Sequence, residues 1–314
     1  MSKFPTRIAV TGAWGFLGRH TVERFAGLPD TELVLALDLH PPRSDMSHSN
    51  VIAVQRDIRA PADDLFVKHG IELVLHMAYI LRPPRDAAWA RSINVAGTKA
   101  LLKSCTAAGT KRVVYPSSTT VYGARPGNSR PFEETDAPNP VPGFQYSEDK
   151  VRSERLLARW AKETPDASTS VFRGCVVMGP AADNFILEAL TMKWLPVPAF
   201  SDAEMQFVYI DDVVDAFQLA AATDAHGIFN LSGKGTVRWR RMVALFGNHA
   251  VPIPGPLLQS MTGLSWKLHL QDRSPAAGVN LLRYPWLASS DKARRELGWQ
   301  PRYTSEQALL TARP

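Results

Sequence analysis

Two side chains set four apart carry the first chemical signal in the chain: Tyr146 and Lys150 in the run Tyr146-Ser147-Glu148-Asp149-Lys150. The run opens a helical pattern over residues 147–163, and positions i and i+4 of a helix share a face. An ammonium placed beside a phenol favours the phenol's ionised form. An undisturbed tyrosine titrates near ~10, so this pairing brings it toward the range where it exchanges a proton with a hydroxyl or a ketone oxygen. The same spacing alone also describes a surface helix with a half-buried tyrosine, and its surroundings decide between the two.

Directly after the apolar run Arg7-Ile8-Ala9-Val10 stands Thr11-Gly12-Ala13-Trp14-Gly15-Phe16-Leu17-Gly18-Arg19, which leads into a helical pattern near 16–27. Glycines at 12, 15 and 18 permit a tight turn, admit a pyrophosphate to main-chain N–H groups at a helix amino end, and let that helix sit close to a sheet. The spacing is Gly-x-x-Gly-x-x-Gly, and a bare triplet of this kind is no more than a strand-to-helix turn. Asp38 adds weight. It falls 20 residues beyond Gly18 at the end of the next apolar run, where a carboxylate accepts from both ribose hydroxyls of an NAD adenosine and repels a 2′-phosphate. NAD is the expected cofactor, with Arg43 as the feature that would favour NADP.

These groups need a scaffold, and the chain supplies strand-helix alternation. Short apolar runs at 7–10, 33–37, 51–54, 73–76, 113–115 and from 171 onward alternate with helical patterns near 16–27, 61–69, 86–108 and 147–163. Runs that are apolar throughout suit a parallel sheet covered on both faces. The expected fold is α/β, a doubly wound parallel (Rossmann) sheet over residues 1–178, with a smaller, partly interleaved substrate lobe over 179–314. In that lobe, helices are expected at 211–223, opened by Asp211 or Asp212, at 237–247 and at 290–297 ending on Gly298. Pro256 to Leu270 places Leu257, Met261, Leu264 and Leu268 on one helical face, which reads as a lid or packing helix; Lys267 and His269 are too few basic anchors for a membrane-surface helix.

Composition narrows the class. Of 314 residues, 45% are hydrophobic and 21% charged, as in ordinary globular proteins. The 36 Lys and Arg against 30 Asp and Glu give +6, but no basic stripe is concentrated enough for nucleic acid. Cys105 and Cys175 have no metal-ligand spacing, so no metal is expected and a reduced cytoplasmic setting fits. Residues 1–7 lack the signature of a secretory signal, and no apolar run approaches a membrane span of roughly 18 residues.

The glycine loop, the stretch Ser117-Ser118-Thr119-Thr120-Val121-Tyr122-Gly123 and the Tyr146/Lys150 pair together resemble the extended short-chain dehydrogenases/reductases, the branch of UDP-galactose 4-epimerase and the sugar-nucleotide dehydratases. The resemblance covers nearly the whole chain, through Asn94-Val95-Ala96-Gly97-Thr98, Arg173 to Gly179-Pro180, Val208-Tyr209-Ile210-Asp211-Asp212-Val213 and Leu297-Gly298-Trp299-Gln300-Pro301. It implies that Ser118, Tyr146 and Lys150 are catalytic, with Lys150 also on the nicotinamide ribose. It implies further that Gly12, Gly15, Phe16, Leu17, Gly18 and Asp38 hold the dinucleotide, Asp57 and Ile58 flank adenine, Ala78 in His76-Met77-Ala78 lies near nicotinamide, and Asn94 and Tyr146 also bind the cofactor. His76 reads as a strand-end histidine without a proton-carrying role. Relatives pair long helices into a four-helix bundle, so the apolar excess in 86–108 and 147–163 implies a homodimer.

Three departures bear on the substrate. Thr119-Thr120 stand where dehydratases of the branch carry Asp-Glu, which disfavours elimination of water. Val176 replaces an asparagine that contacts a sugar nucleotide, and Met205 replaces an arginine that neutralises its diphosphate; Arg238, Arg273 or Arg283 are the candidate substitutes. Three readings follow: a sugar-nucleotide epimerase, a reductase or dehydrogenase of a less polar ketone or alcohol, and a non-catalytic NAD(P)-sensing module. The intact Ser118, Tyr146 and Lys150 speak against the third.

Overall fold

The structure, a computed structural model, describes residues 4–42, 48–82 and 85–313; Arg43 lies outside them. In the first half the strands are β1 (Arg7–Thr11), β2 (Leu33–Asp38), β3 (Val51–Gln55), β4 (Leu73–His76), β5 (Arg112–Ser118) and β6 (Ser168–Gly174). The helices between them are α1 (Phe16–Ala26), α2 (Asp63–His69), α3 (Ala87–Arg91), α4 (Thr98–Ala108) and α5 (Gln145–Glu163). Then come β7 (Val176–Met178), α6 (Phe185–Leu190), β8 (Trp194–Pro198), β9 (Glu204–Met205), β10 (Phe207–Tyr209), α7 (Ile210–Thr223) and β11 (Gly227–Leu231). Beyond these lie β12 (Val237–Arg238), α8 (Trp239–Leu245), β13 (His249–Ile253) and α9 (Gly255–Lys267).

The central sheet has seven strands in the order β11-β6-β5-β4-β1-β2-β3, each pair parallel. Its inner strands are apolar on both sides because both faces are covered. Ile8, Val10, Val34, Ala36 and Leu75 pack with Val22 and Phe25 of α1 and Phe217 of α7. The alternate residues Ala9, Leu35, Leu37, Val74 and Tyr115 pack with Phe66 of α2, Leu101 of α4 and Leu157 of α5. A parallel sheet with β1 between β2 and β4 opens a crevice at the carboxyl ends of β1 and β4, where the winding reverses. Register does the rest: Thr11 pairs with Leu37 and with His76, so Gly12, Asp38 and Met77 emerge at one level.

Four elements differ from the sequence expectation. The helix expected over 86–108 is broken by a π-helical turn at Ser92–Gly97, which releases the Asn94 carbonyl to accept from Thr98 Oγ1 at 2.7 Å and Ser153 Oγ at 3.1 Å. Tyr209, not an aspartate, precedes the first turn of α7; Asp212 is buried and accepts from Arg302 Nε at 2.9 Å, binding the carboxyl-terminal segment to that helix. Residues 237–238 form a strand before α8 begins. On α9 it is Leu258 that is buried, while Leu257, Met261, Leu264 and Leu268 point outward, so this face is not the packing face.

The chain leaves the sheet after β6, pairs β7 with β10 outside it, and returns to it with α7 packed on one face and β11 at its edge. Residues outside the sheet share their own core, with Met178, Ile186, Leu195, Met205, Trp239 and Trp286 among its members. Among the described residues, no helix is long and apolar enough to cross a membrane.

Candidate active site

The loop after β1 is built for close approach. Gly12 has φ +62°, and a Cβ there would lie 2.6 Å from the Ala78 backbone; at Gly18 a Cβ would lie 2.0 Å from the Gly12 carbonyl oxygen. Gly15 precedes α1, whose first turn carries no acidic residue and no side-chain cap, so its backbone N–H groups face the cleft unopposed. Thr11 Oγ1 accepts from Ala78 N at 3.3 Å and ties this loop to the one after β4. Asp38 ends β2 with Oδ2 accepting from Trp14 N at 3.0 Å and Oδ1 from His40 N at 2.9 Å, which fixes the carboxylate at the cavity wall.

A cavity of about 660 Å³ runs along these residues, with Asp38, Asp57, Ile58 and Ala78 in its lining. Arg59 donates to Asp57 and holds its carboxyl below the usual range. Arg56, paired with Asp64 at 3.1 Å, is a further lining residue that the sequence reading did not single out. A dinucleotide fits this groove: glycine backbone stands where the pyrophosphate comes closest, and a fixed carboxylate stands at the strand end. Asn94 lies away from this cavity, on a smaller one; its side chain accepts from Ile80 N at 2.8 Å, so it steadies the loop after β4. His76 is buried between Thr11 Oγ1 at 2.7 Å and Thr98 Oγ1 at 3.0 Å, and burial lowers its pKa to about 3.

A second cavity, about 230 Å³, joins the first at Gly12, Gly15, Met77 and Tyr79, and Phe16, Leu17, Gly18, Ser118, Tyr146 and Lys150 help to line it. Ser118 ends β5, and its Oγ accepts from Thr120 N at 3.2 Å and Thr120 Oγ1 at 3.0 Å, leaving its own hydrogen free to be donated. Burial pushes the Tyr146 phenol up to about 12, an effect the Ser118 hydroxyl opposes. Lys150, lowered to about 7 by burial against the pull of Glu154, donates to the Pro116 carbonyl at 2.7 Å. Its Nζ is 5.9 Å from the Tyr146 ring centroid but 3.7 Å from that of Tyr79. This geometry differs from the sequence expectation: desolvation outweighs the lysine's influence on the phenol, because the ammonium is aimed at Pro116 and Tyr79.

Glu154 binds the three carrying elements together. On α5, it accepts from Arg173 Nε (3.1 Å) and Nη2 (2.7 Å) on β6, and from Ser117 on β5. Arg173 also donates to the Tyr122 hydroxyl at 2.9 Å.

The outer wall of the second cavity includes Phe144, Val176, Val177, Phe185 and Trp286. Arg82 pairs with Asp183 at 2.9 Å and Arg273 with Glu188 at 3.2 Å, both pairs on the lining. Of the candidate substitutes for the missing arginine, Arg273 alone is among the lining residues; Arg238 pairs with Glu204 at 3.5 Å on β12, and Arg283 lies over Tyr284. Met205 belongs to the lobe's core. The exposed residues of α9 do not form the cavity wall either, so its apolar character comes from Val176 and the aromatic residues. Tyr79 and Thr120 are site residues the sequence reading missed; the only cue to Tyr79 is that it directly follows His76-Met77-Ala78.

Comparison with known proteins agrees with this fold. An uncharacterized protein of Mycobacterium tuberculosis is 27% identical over 313 residues, 98% of this chain and 83% of its own length. A trifunctional UDP-glucose 4,6-dehydratase/epimerase/reductase of Arabidopsis thaliana is 27% identical over 265 residues, 76% of this chain and 38% of its length. Among solved structures, UDP-glucose 4-epimerase of Thermotoga maritima with UDP-glucose superposes with TM-score 0.76 at 22% identity, covering 98% of this chain and 97% of its own. MoeE5 with UDP-glucuronic acid and NAD superposes with TM-score 0.74 at 24% identity, covering 98% and 97%. Residues 8–232 match the NAD dependent epimerase/dehydratase family, and the chain belongs to that family, as an NAD-dependent enzyme of the extended short-chain dehydrogenase/reductase kind.

Proposed function

We propose that the protein is an NAD-dependent oxidoreductase acting on the secondary alcohol or ketone of an uncharged, largely apolar substrate. NAD, when bound, supplies the donor or acceptor of the hydride. Tyr146 exchanges a proton with the substrate oxygen, Ser118 donates a hydrogen bond to that oxygen, and Lys150 holds the nicotinamide ribose. A phenol raised to about 12 keeps its proton at neutral pH, which suits protonation of a ketone oxygen during reduction.

The observation that carries the substrate class is the state of the cavity's arginines. Arg82 and Arg273 each face a carboxylate, Asp183 and Glu188, while Val176 and the aromatic wall offer no charge-assisted donor. A diphosphate brought out of water needs such donors, and an unpaired acceptor costs about 1–3 kcal/mol. Titration calorimetry of UDP and UDP-glucose into the NAD-loaded protein tests this. Weak binding, in the millimolar range of about −4 kcal/mol, is expected; micromolar affinity would refute it.

A second reading, a sugar-nucleotide epimerase, is favoured by the same two arginines, since release from their carboxylates would aim two guanidinium groups at the cavity mouth. For assembly, we propose a homodimer paired through α4 and α5. Their apolar residues Leu101, Leu102, Leu157 and Trp160 are used within the fold, and Lys99, Lys103, Arg155 and Arg159 face outward. Such pairing strengthens as salt screens like charges.

A further inference from the structure

The Lys150 ammonium is surrounded by aromatic faces. Its Nζ lies 3.7 Å from the ring centroid of Tyr79, 4.6 Å from that of Tyr115 and 5.9 Å from that of Tyr146. Tyr115 belongs to β5 and Tyr146 to α5, whereas Tyr79 reaches in from the loop after β4. The Tyr79 hydroxyl donates to the Tyr146 carbonyl at 2.9 Å, and the two rings meet edge to face with centroids 5.5 Å apart. One half-buried side chain therefore touches both members of the proton-handling pair, at the place where the two cavities join.

Burial deprives Lys150 of the water that favours its charged form. The titratable groups that face it are Glu154 and Tyr146 from α5, Tyr115 from β5, His76 from β4, and Tyr79. Glu154 is committed to Arg173 and Ser117, His76 is neutral, and the phenols of Tyr79 and Tyr115 are pushed up by burial and hold their protons. Beyond the single hydrogen bond to the Pro116 carbonyl at 2.7 Å, the nearest compensation available to the ammonium is the negative face of the Tyr79 ring at 3.7 Å.

We propose that Tyr79 is a positioning residue whose ring face keeps the Lys150 ammonium charged and aimed at the cavity junction, while its hydroxyl holds the first turn of α5 under Tyr146. The inference rests on the assignment of Lys150 to the cofactor ribose. It assigns to the residue after Ala78 a part in setting the pH range over which NAD is held.

The test replaces residue 79 by phenylalanine, by trifluorophenylalanine, whose ring has the same shape but a depleted face, and by leucine. NAD affinity is measured by calorimetry as pH is varied, beside the melting temperature of each variant, with Lys150→Met as reference. Tyr79→Phe should keep the pH midpoint of binding. The fluorinated ring and Tyr79→Leu should move that midpoint down by about 0.5–1.5 on the pH scale, weakening NAD binding about 3–30-fold above it. The fluorinated variant preserves packing, so the comparison holds even if Tyr79→Leu does not fold. Coincident midpoints for the phenylalanine and trifluorophenylalanine proteins would overturn the inference, leaving Tyr79 a packing residue. If Lys150→Met binds NAD as the unaltered protein does, at every pH, the ribose assignment itself falls and this inference with it.

Discussion

Removing Glu154 should disable the protein more than removing its partner Arg173, and removing both should hurt least. Arg173 and Glu154 are 2% and 8% exposed, joined by two hydrogen bonds of 3.1 and 2.7 Å. Breaking a buried pair by deleting one side leaves an uncompensated charge, at a cost of about 3–5 kcal/mol. At roughly 2–4 °C per kcal/mol for a chain of this size, melting should fall by about 6–20 °C. Glu154→Leu belongs at the severe end because a guanidinium cannot shed its proton. In Arg173→Met the stranded carboxyl can take one up, so that variant should regain stability as pH falls. The double variant, with an apolar pair in place of the ions, should lie within about 1–2 kcal/mol of the unaltered protein. Melting followed by circular dichroism across pH reads all three. Single losses below about 1 kcal/mol, or a double variant as unstable as Glu154→Leu, would refute the view that this pair is a desolvated clamp joining β5, α5 and β6.

Asp38→Ala should narrow the preference for NAD over NADP in fluorescence titrations; an unchanged preference would remove the ribose assignment of Asp38. Tyr146→Phe should retain NAD binding and lose about 10²–10⁴-fold in turnover, with Ser118→Ala milder because the proton-carrying phenol stays in place. Because the Tyr146 phenol is held up at about 12, ketone reduction at saturating cofactor should stay flat with pH up to about 10, while alcohol oxidation, which needs the phenolate, should climb through the same range. A plateau in alcohol oxidation below about pH 8 would contradict that reading. Sedimentation should show a dimer whose share grows with salt, and a monomer at micromolar concentration in high salt would rule out pairing through α4 and α5.

Much of the scaffold is legible in the sequence because its signals are local. Apolar runs mark β1, β2, β4 and β6, and the glycines at 12, 15 and 18 announce the turn into α1 with little help from distant residues. The positions that set substrate and proton chemistry are fixed from afar. Tyr79 meets Lys150 across 71 positions of sequence (150 − 79), and Arg82 finds Asp183 across 101. The apolar stripe of α9 misleads for a physical reason: periodicity reports which face is apolar, not whether a neighbour covers it. Likewise the Tyr146/Lys150 spacing reports a shared helical face, while the direction of the ammonium depends on the Pro116 carbonyl and the Tyr79 ring, which no spacing encodes.

The most direct test of the central claim follows a deuterium label. The protein is given NADH deuterated at C4 of the nicotinamide, together with a panel of apolar ketones and, separately, UDP-glucose and its 4-keto form, and the products are read by mass spectrometry. The account predicts label on the carbinol carbon of an apolar alcohol, abolished in Tyr146→Phe, with the UDP-sugars left untouched. Label entering a UDP-sugar while every apolar ketone remains unlabelled would contradict it.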